Sequence, residues 1–288
     1  MSDSLAFNNE TLLYNNQYEM FYLDYNPLNL PPYTIRVELL PDAVEPEINS
    51  DFRNDKLTMT QVSASPNIWD ITYTDSVWDE MFDVGVSPEI IYDNIKGIIG
   101  GNLTGVTSIE RWFYSSDILE YVNIIDTPDV IDMAAAFTHC TNLVNVPSYF
   151  NLASVEDMTG AFAQCYSLVH LPEFVNTSNL RIMKNTFAEC ISLVDITLFD
   201  TSNVTDFEEA FLYCRSLKEV PLLDVSSVTN CVNMFATTIN VESGALALYN
   251  RLQALGAQII NHGGCFESCG SDTVTGAAEL AQIPSDWK

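Results

Sequence analysis

The chain has 288 residues, of which 47% are apolar, so one or two domains with a sizeable core are expected. Its 39 acidic residues outnumber 11 basic ones and give a net charge of −28. Such a surface repels nucleic acids and anionic membranes, and no apolar run approaches the ~20 residues of a membrane-spanning helix. The composition favours a soluble, extracellular or particle-exposed protein, or one that docks on a basic partner, and it argues against nucleic-acid binding and membrane insertion.

Residues 1–32 are rich in Asn and Tyr and have little periodicity. Disordered segments are poor in large aromatic residues, so we interpret this segment as an extended N-terminal arm that docks on a neighbouring chain; a disordered tail is the alternative. The candidate docking residues are its aromatic side chains, Tyr14, Tyr18, Phe21, Tyr22 and Tyr25. The first residues also lack the basic and continuous apolar regions of a signal peptide, so export as a lipoprotein is not expected.

Residues 33–105 are predicted to form a small β unit and a junction. Tyr33–Leu40 alternates apolar and polar residues, and Leu57–Ser63 and Ile68–Tyr73 are further strand candidates. Ser87–Ile99 has the features of an insertion, with a helix as one reading, and the glycines between 97 and 105 are assigned to turns. This unit would cover the N-terminal end of the segment that follows.

Residues 106–242 contain a pattern that recurs every 24 or 25 residues. The four clearest copies each have a Phe, a Cys three residues later and a Leu six residues later, and a fifth copy, from Cys231, keeps the Phe but lacks this Cys and Leu. The Phe positions are Phe137, Phe162, Phe187, Phe211 and Phe235. In the copy from Met133, apolar positions 133, 136, 137 and 140 match two turns of a helix, and a short extended run follows. The fold class predicted from this pattern is an α/β solenoid of leucine-rich-repeat-like coils of about 24–25 residues, with a small N-terminal β unit and a C-terminal helical cap.

Two further ladders of residues run in step with the Phe positions. The Cys ladder (Cys140, Cys165, Cys190 and Cys214) is predicted to be a buried column of free thiols. The polar ladder begins Asn151, Asn176, Asp200 and Asp224, and Ser154, Asn179, Asn203 and Ser227 follow three residues later. Short polar side chains there suit turns and caps, and a row of calcium ligands is the alternative.

A column of exposed residues is the candidate binding site; the alternative is that these positions vary only because any exposed position can. Its members occupy one phase of the extended runs and differ from copy to copy, while the core positions beside them stay nearly constant. They are Asn145, His170, Asp195 and Glu219.

Residues 243–288 are predicted to form a C-terminal cap. Ser243–Leu255 has the stripe of a helix with Ser243 as N-cap and Gly256 at its end; Thr275–Ile283 is a second short helix, and Trp287 is expected to pack on the fold. His262, Cys265 and Cys269 offer one zinc ligand too few, and a Cys265–Cys269 disulfide is a further alternative. No catalytic motif, metal site or cofactor site is predicted.

The repeated pattern M-xxx-F-xx-C-xx-L-xx-(V/I)-P, with the phrase DTSNV from Asp200, resembles the BspA-like leucine-rich-repeat group, which includes repeats of mycoplasma-type surface lipoproteins. The resemblance covers about residues 109–241. The flanking phrases LPPYTIRVELL from Leu30 and CGSDTVTGAAELAQIPSDWK from Cys269 are similar to proteins of phages that infect gut Bacteroides-type bacteria. These resemblances imply a role in a virion or in surface contact.

Three functions follow as hypotheses. The first is a non-enzymatic phage virion protein (a decoration, fibre or tail component) that is assembled in the host cytoplasm and presents a repeat scaffold for host attachment. Its partners would be other virion proteins, through the arm, and a host surface glycan or protein, and the chain would form a homo-oligomer. The alternatives are a bacterial cell-surface adhesin of BspA-like type and a glycan-degrading enzyme.

Overall fold

The computed structural model describes residues 4–7, 10–13, 30–31, 34–46, 57–73, 94–144, 146, 149–171 and 173–288. Nine strands lie in these residues: β1 (Ser4–Phe7), β2 (Glu10–Leu13), β3 (Thr34–Leu39), β4 (Leu57–Ala64), β5 (Asn67–Tyr73), β6 (Ile95–Asn102), β7 (Tyr121–Asp126), β8 (Tyr149–Asn151) and β9 (Glu173–Val175). The same residues contain two α-helices, α1 (Ala245–Ala254) and α2 (Val274–Leu280). None of the described helices is long and apolar enough to cross a bilayer.

The largest sheet is open, mixed and five-stranded, in the order β4-β5-β3-β6-β7. The three strands predicted from the sequence of the β unit are confirmed as β3, β4 and β5, and they pair antiparallel. The alternation in β3 places Ile35, Val37 and Leu39 in the core. Strand β6 pairs antiparallel with β3 and parallel with β7, so it joins the β unit to the rest of the chain.

Strand β6 was not predicted. A helical reading of Ser87–Ile99 is wrong for the part from Ile95 onward, which is a strand; residues 87–93 lie outside the described part.

Gly97 leaves room for the neighbouring strand: a Cβ there would lie 2.1 Å from Cζ of Tyr121. The Tyr121 hydroxyl donates a hydrogen bond to Glu38 across the sheet. The glycine therefore serves strand packing rather than a turn.

The prediction of an α/β solenoid with leucine-rich-repeat-like coils is wrong. The described residues form an open mixed sheet of five strands and only two short α-helices, both near the C-terminal end. Residues 134–139, which lie where a two-turn helix was expected, are consecutive tight turns. The equivalent positions in the later copies are turns as well.

The reason lies in the backbone of these segments. Ala135 and His139 have left-handed φ values of 52° and 64°, and corresponding pairs recur in the other segments. The Ala136 N–H reaches only three residues back, to the Met133 carbonyl at 3.0 Å. The N–H groups of residues 133, 135, 137 and 139 donate to carbonyls of the following segment. The first of these bonds, from Met133 to the Asp157 carbonyl, is 2.9 Å long. The spacing of the apolar residues fits these overlapping turns as well as it fits a helix.

Successive segments between residues 108 and 269, called here the turn stack, lie on one another. Isolated parallel bridges join them along one line: Ser108–Asp132, Asp132–Asp157, Asp157–Ile182, Ile182–Asp206, Asp206–Asn230 and Asn230–Asn261. A column of phenyl rings fills the interior, with interplanar angles of 6–15° and centroid separations of 4.9–6.3 Å. Its members are Phe113, Phe137, Phe162, Phe187, Phe211, Phe235 and Phe266.

The C-terminal segment contains both helices. The predicted helix within Ser243–Leu255 is confirmed as α1, but Gly244, not Ser243, is its N-cap. A Cβ at Gly244 would lie 2.2 Å from the Val220 carbonyl oxygen, so only glycine allows this close approach. The second predicted helix is confirmed as α2, and Trp287 is buried as expected. The domain boundaries at residues 32, 105 and 242 stay predictions.

Candidate interaction surface

The Cys ladder is buried, as predicted, and its four thiols are free. Each Sγ donates to the carbonyl of the Phe in the preceding segment at 3.0–3.2 Å. Burial raises the pKa of these thiols, that of Cys190 to about 12. The thiols therefore stay protonated and can donate these hydrogen bonds. The sequence predicted the packing role of these residues and missed their hydrogen bonds.

The polar ladder caps turns. Oδ1 of Asp200 accepts the Ser202 N–H at 3.0 Å, and Asp224 bonds to Ser226 in the same way. Hydrogen bonds from the Ser side chain and then from its N–H hold the pKa of each carboxyl below its usual range. For these two residues the capping interpretation is confirmed. Across the described part of the chain, no group of three or more His, Cys, Asp or Glu residues is placed to hold a metal ion.

Three residues later, the second row of the polar ladder joins neighbouring segments. The Asn203 amide donates to the Ser178 carbonyl at 2.8 Å, and the Asn179 amide donates to the Ala153 carbonyl at 2.6 Å. The Ser227 hydroxyl reaches the Ser202 carbonyl at 2.6 Å. These polar side chains therefore hold the turn stack together at its surface.

Three of the four candidate binding residues lie on one exposed face. His170 and Asp195 form a parallel bridge, and Nδ1 of His170 lies 2.9 Å from a carboxylate oxygen of Asp195. Glu219 is exposed in the next segment, which bonds to the segment of Asp195 through the Lys218 N–H. The fourth candidate, Asn145, lies outside the described residues.

This face combines a constant interior with a variable exterior. Leu168, Leu193 and Leu217, each two residues before an exposed candidate, are buried completely. The His170 and Asp195 side chains are 64% and 59% exposed. An exposed polar contact of this kind contributes little to stability, and the exposure of both side chains leaves them accessible to a partner. The face offers hydrogen bonds and negative charge, which suit basic side chains or sugar hydroxyls.

A second line of polar residues was missed by the sequence analysis. It follows the isolated bridges, and Oδ1 of Asp132 and of Asp157 accept the N–H groups of Ala134 and Thr159 at 2.8 and 2.7 Å. Burial raises the pKa of Asp132, and the neighbouring Asp157 raises it further. The recurrence of Asp, Asn or Ser directly before most of the apolar residues that open a segment is the signal that could have found it.

The candidate zinc or disulfide residues near the C-terminus are not brought together as a site. Cys265 and Cys269 are buried, separate thiols. Burial raises the pKa of Cys265, and the neighbouring Cys231 thiol raises it further. The His262 ring stacks on Trp287 with centroids 4.2 Å apart.

The candidate docking aromatics of the N-terminal arm lie outside the described residues: Tyr14, Tyr18, Phe21, Tyr22 and Tyr25. Within residues 1–32, strands β1 and β2 pair antiparallel.

A family model described as "Mycoplasma protein of unknown function, DUF285" matches residues 91–193 and 131–249, which together span more than half of the chain. The matched region includes β6, the whole exposed face and the phenyl column up to Phe235. No curated protein and no solved structure matches the chain.

Proposed function

Because the chain belongs to the DUF285 family, which comprises mycoplasma-type surface proteins of BspA-like sequence, we propose that it is a non-enzymatic interaction protein. The turn stack is the rigid scaffold, and the face formed by His170, Asp195 and Glu219 makes the contact. The observation that carries this proposal is the contrast between invariant buried positions and varied exposed positions two residues apart.

The partner would be a protein with basic side chains or a surface glycan. Two of the three residues of the face carry carboxylates, and the net charge of −28 favours basic groups and disfavours nucleic acid. Sugar hydroxyls could bond to the same carboxylates and to the His170 imidazole.

Within this role, we place the chain in a phage particle assembled in the host cytoplasm, as a decoration, fibre or tail component. The similarity of its flanking phrases to phage proteins supports this assignment, and the aromatic N-terminal arm would dock it on other virion proteins. A bacterial surface adhesin is the alternative that shares the same contact face.

Replacement of both acidic residues of the face tests the role of that face. The double variant Asp195→Lys, Glu219→Lys should fold normally, because surface substitutions usually change stability by less than about 0.5 kcal/mol. It should lose most of its binding to intact host cells or to a glycan array, and the salt dependence of binding should change, because charges at a contact rim act mainly on association. Flow cytometry of labelled protein at two salt concentrations measures both effects.

The matched control is Glu267→Lys, Asp286→Lys, which makes the same charge change at exposed positions near the C-terminus. It should bind like the parent. Equal loss in both double variants would assign binding to overall charge, and unchanged binding in the first would remove the contact from this face. Turnover of host polysaccharide by the purified chain would contradict the non-enzymatic role.

A further inference from the structure

A row of valine side chains lies beside the polar residues of the contact face. Each of its members comes one residue before a member of the candidate binding column; they are Val144, Val169 and Val194. The Val194 N–H donates to the Val169 carbonyl at 3.0 Å, so these two residues lie on adjacent segments. Val144 is 43% exposed, and the other two side chains are partly exposed. This valine row therefore offers apolar surface to a partner that contacts His170 and Asp195.

Carboxylates border the valine row. The row continues at its two ends, into Glu120 and, through Lys218, into Glu242, by N–H to carbonyl bonds of 2.8–3.1 Å. Asp195 and Glu219 belong to the binding column alongside it. All five of these side chains are exposed, and Lys218 is the basic one among them. The valines are therefore set in surroundings that are negatively charged.

This surface fits a partner that is apolar along one stripe and basic beside it. A partner with basic groups alone would leave the valines in water, whereas the hydrophobic effect favours covering them with apolar surface. A glycan presents hydroxyl groups, which pair with carboxylates but gain little from valine methyl groups. An apolar stripe flanked by Lys or Arg is a property of a protein segment. Charge complementarity with the four carboxylates then requires that this segment be basic.

The spacing of the valines indicates the conformation of the segment. Neighbouring segments of the turn stack are joined by parallel bridges, so the valines recur about every 4.8 Å along the stack. Residues three or four apart in an α-helix recur about every 4.5–6 Å along its axis, whereas alternate residues of a strand recur about every 6.6 Å. A helix that lies along the stack therefore matches the valine row, and a strand does not.

We propose that the contact face binds a basic, amphipathic α-helix of a partner protein. This inference rests on the proposed function of the face and names the partner. The apolar stripe of the helix covers Val144, Val169 and Val194, as in other complexes in which a helix packs its apolar side on a protein surface. Its Lys or Arg residues contact Asp195 and Glu219. The valine row thus favours a protein over a glycan, and the carboxylates fix the orientation of the helix.

Fluorescence anisotropy of the full chain with two synthetic peptides tests the proposal. Both peptides contain the same leucines and lysines. One is an amphipathic helix with leucines three or four residues apart, and the other is a scrambled sequence of equal charge. The parent should bind the amphipathic peptide about tenfold more tightly. The double variant Val169→Thr, Val194→Thr should lose this preference, because it replaces two methyl groups with hydroxyls in side chains of nearly the same shape. Thermal melting by circular dichroism checks that the variant is folded.

The matched control is Val44→Thr, Val274→Thr, which makes the same change at valines that are 85% and 90% exposed. Val44 follows β3 and Val274 opens α2, so the control should keep the preference of the parent. Equal binding of the two peptides by the parent would overturn the proposal. A preference that survives in the Val169→Thr, Val194→Thr variant, or one that both double variants lose, would also overturn it.

Binding to intact host cells separates this proposal from the proposed function. Both the Asp195→Lys, Glu219→Lys variant and the Val169→Thr, Val194→Thr variant should bind the cells more weakly than the parent. Loss of binding in the lysine variant alone would overturn the helix as partner and leave the contact face in place. Unchanged binding in both variants would remove the contact from this face and overturn both proposals.

Discussion

At the scale of single residues, side-chain hydrogen bonds to a neighbouring segment add to the backbone hydrogen bonds that join the segments. Cys165 donates to the Phe137 carbonyl, and Asn203 donates to the Ser178 carbonyl. A cysteine suits the buried position because it is small and apolar and still carries a donor. At the equivalent position of a later segment, Thr238 supplies a hydroxyl, which donates to the Phe235 carbonyl of its own segment. The residues at this position are therefore small and carry a hydrogen-bond donor.

The half-buried Asp132 is not the optimal residue at its position. Asp132→Asn keeps an oxygen that can accept the Ala134 N–H, and it removes the burial of a charge and the repulsion from Asp157. Asn230 and Asn261 occupy the same line naturally. At pH 7 the variant should gain roughly 0.5 kcal/mol in the free energy of unfolding, as expected when like charges opposite each other are removed. Urea unfolding measures this gain.

The pH dependence of that gain follows from the raised pKa of Asp132. Ionised Asp132 costs stability at pH values above its folded-state pKa, and the cost disappears as the pH falls through that raised value. The advantage of the variant should therefore vanish on acidification toward the ordinary Asp pKa of 3.8. An advantage that persists at low pH would contradict the electrostatic explanation.

At the scale of elements, the sequence predicted strands better than it predicted the repeated segments. Alternation in β3 has a period of two that only a strand satisfies, and β3, β4 and β5 were found near their predicted bounds. The apolar spacing from Met133 fits both a helix and overlapping turns, because each turn also brings residues three apart to one side. Left-handed residues such as Ala135 and His139 decide between the two. Histidine is enriched in that conformation, but alanine is not, so the residue types alone do not indicate the turns. Exposure of His170, Asp195 and Glu219 was predictable because variation within a periodic pattern marks its outer positions.

The phenyl column is the element on which the turn stack depends. Phe162 is completely buried and stacks between Phe137 and Phe187. Phe162→Ala should therefore lower the free energy of unfolding by about 3–5 kcal/mol, the usual cost for a buried Phe. Thermal and urea unfolding monitored by circular dichroism measure this loss.

Leu198→Ala is the control for this substitution, because Leu198 is 60% exposed and should change stability by less than about 0.5 kcal/mol. If Phe162→Ala melted like its parent, the phenyl column would not be the core of the stack.

At the scale of the whole molecule, a strongly acidic chain exposes a variable face on its turn stack. The C-terminal segment is packed, since Trp287 is buried and its ring stacks on that of His262. An acidic molecule with one variable face is suited to being displayed in several copies and to making repeated contacts. This arrangement agrees with the proposed role as a component of a particle, for which the flanking phrases of the sequence are the support.

The most direct test of that role is the amount of the chain in density-gradient-purified phage particles, measured by quantitative mass spectrometry against the major capsid protein. The proposal predicts a fixed ratio of copies that survives repeated purification, and loss of incorporation when residues 1–32 are deleted. Recovery of the chain only in the cell envelope, or only as free protein separate from the particles, would contradict the proposal.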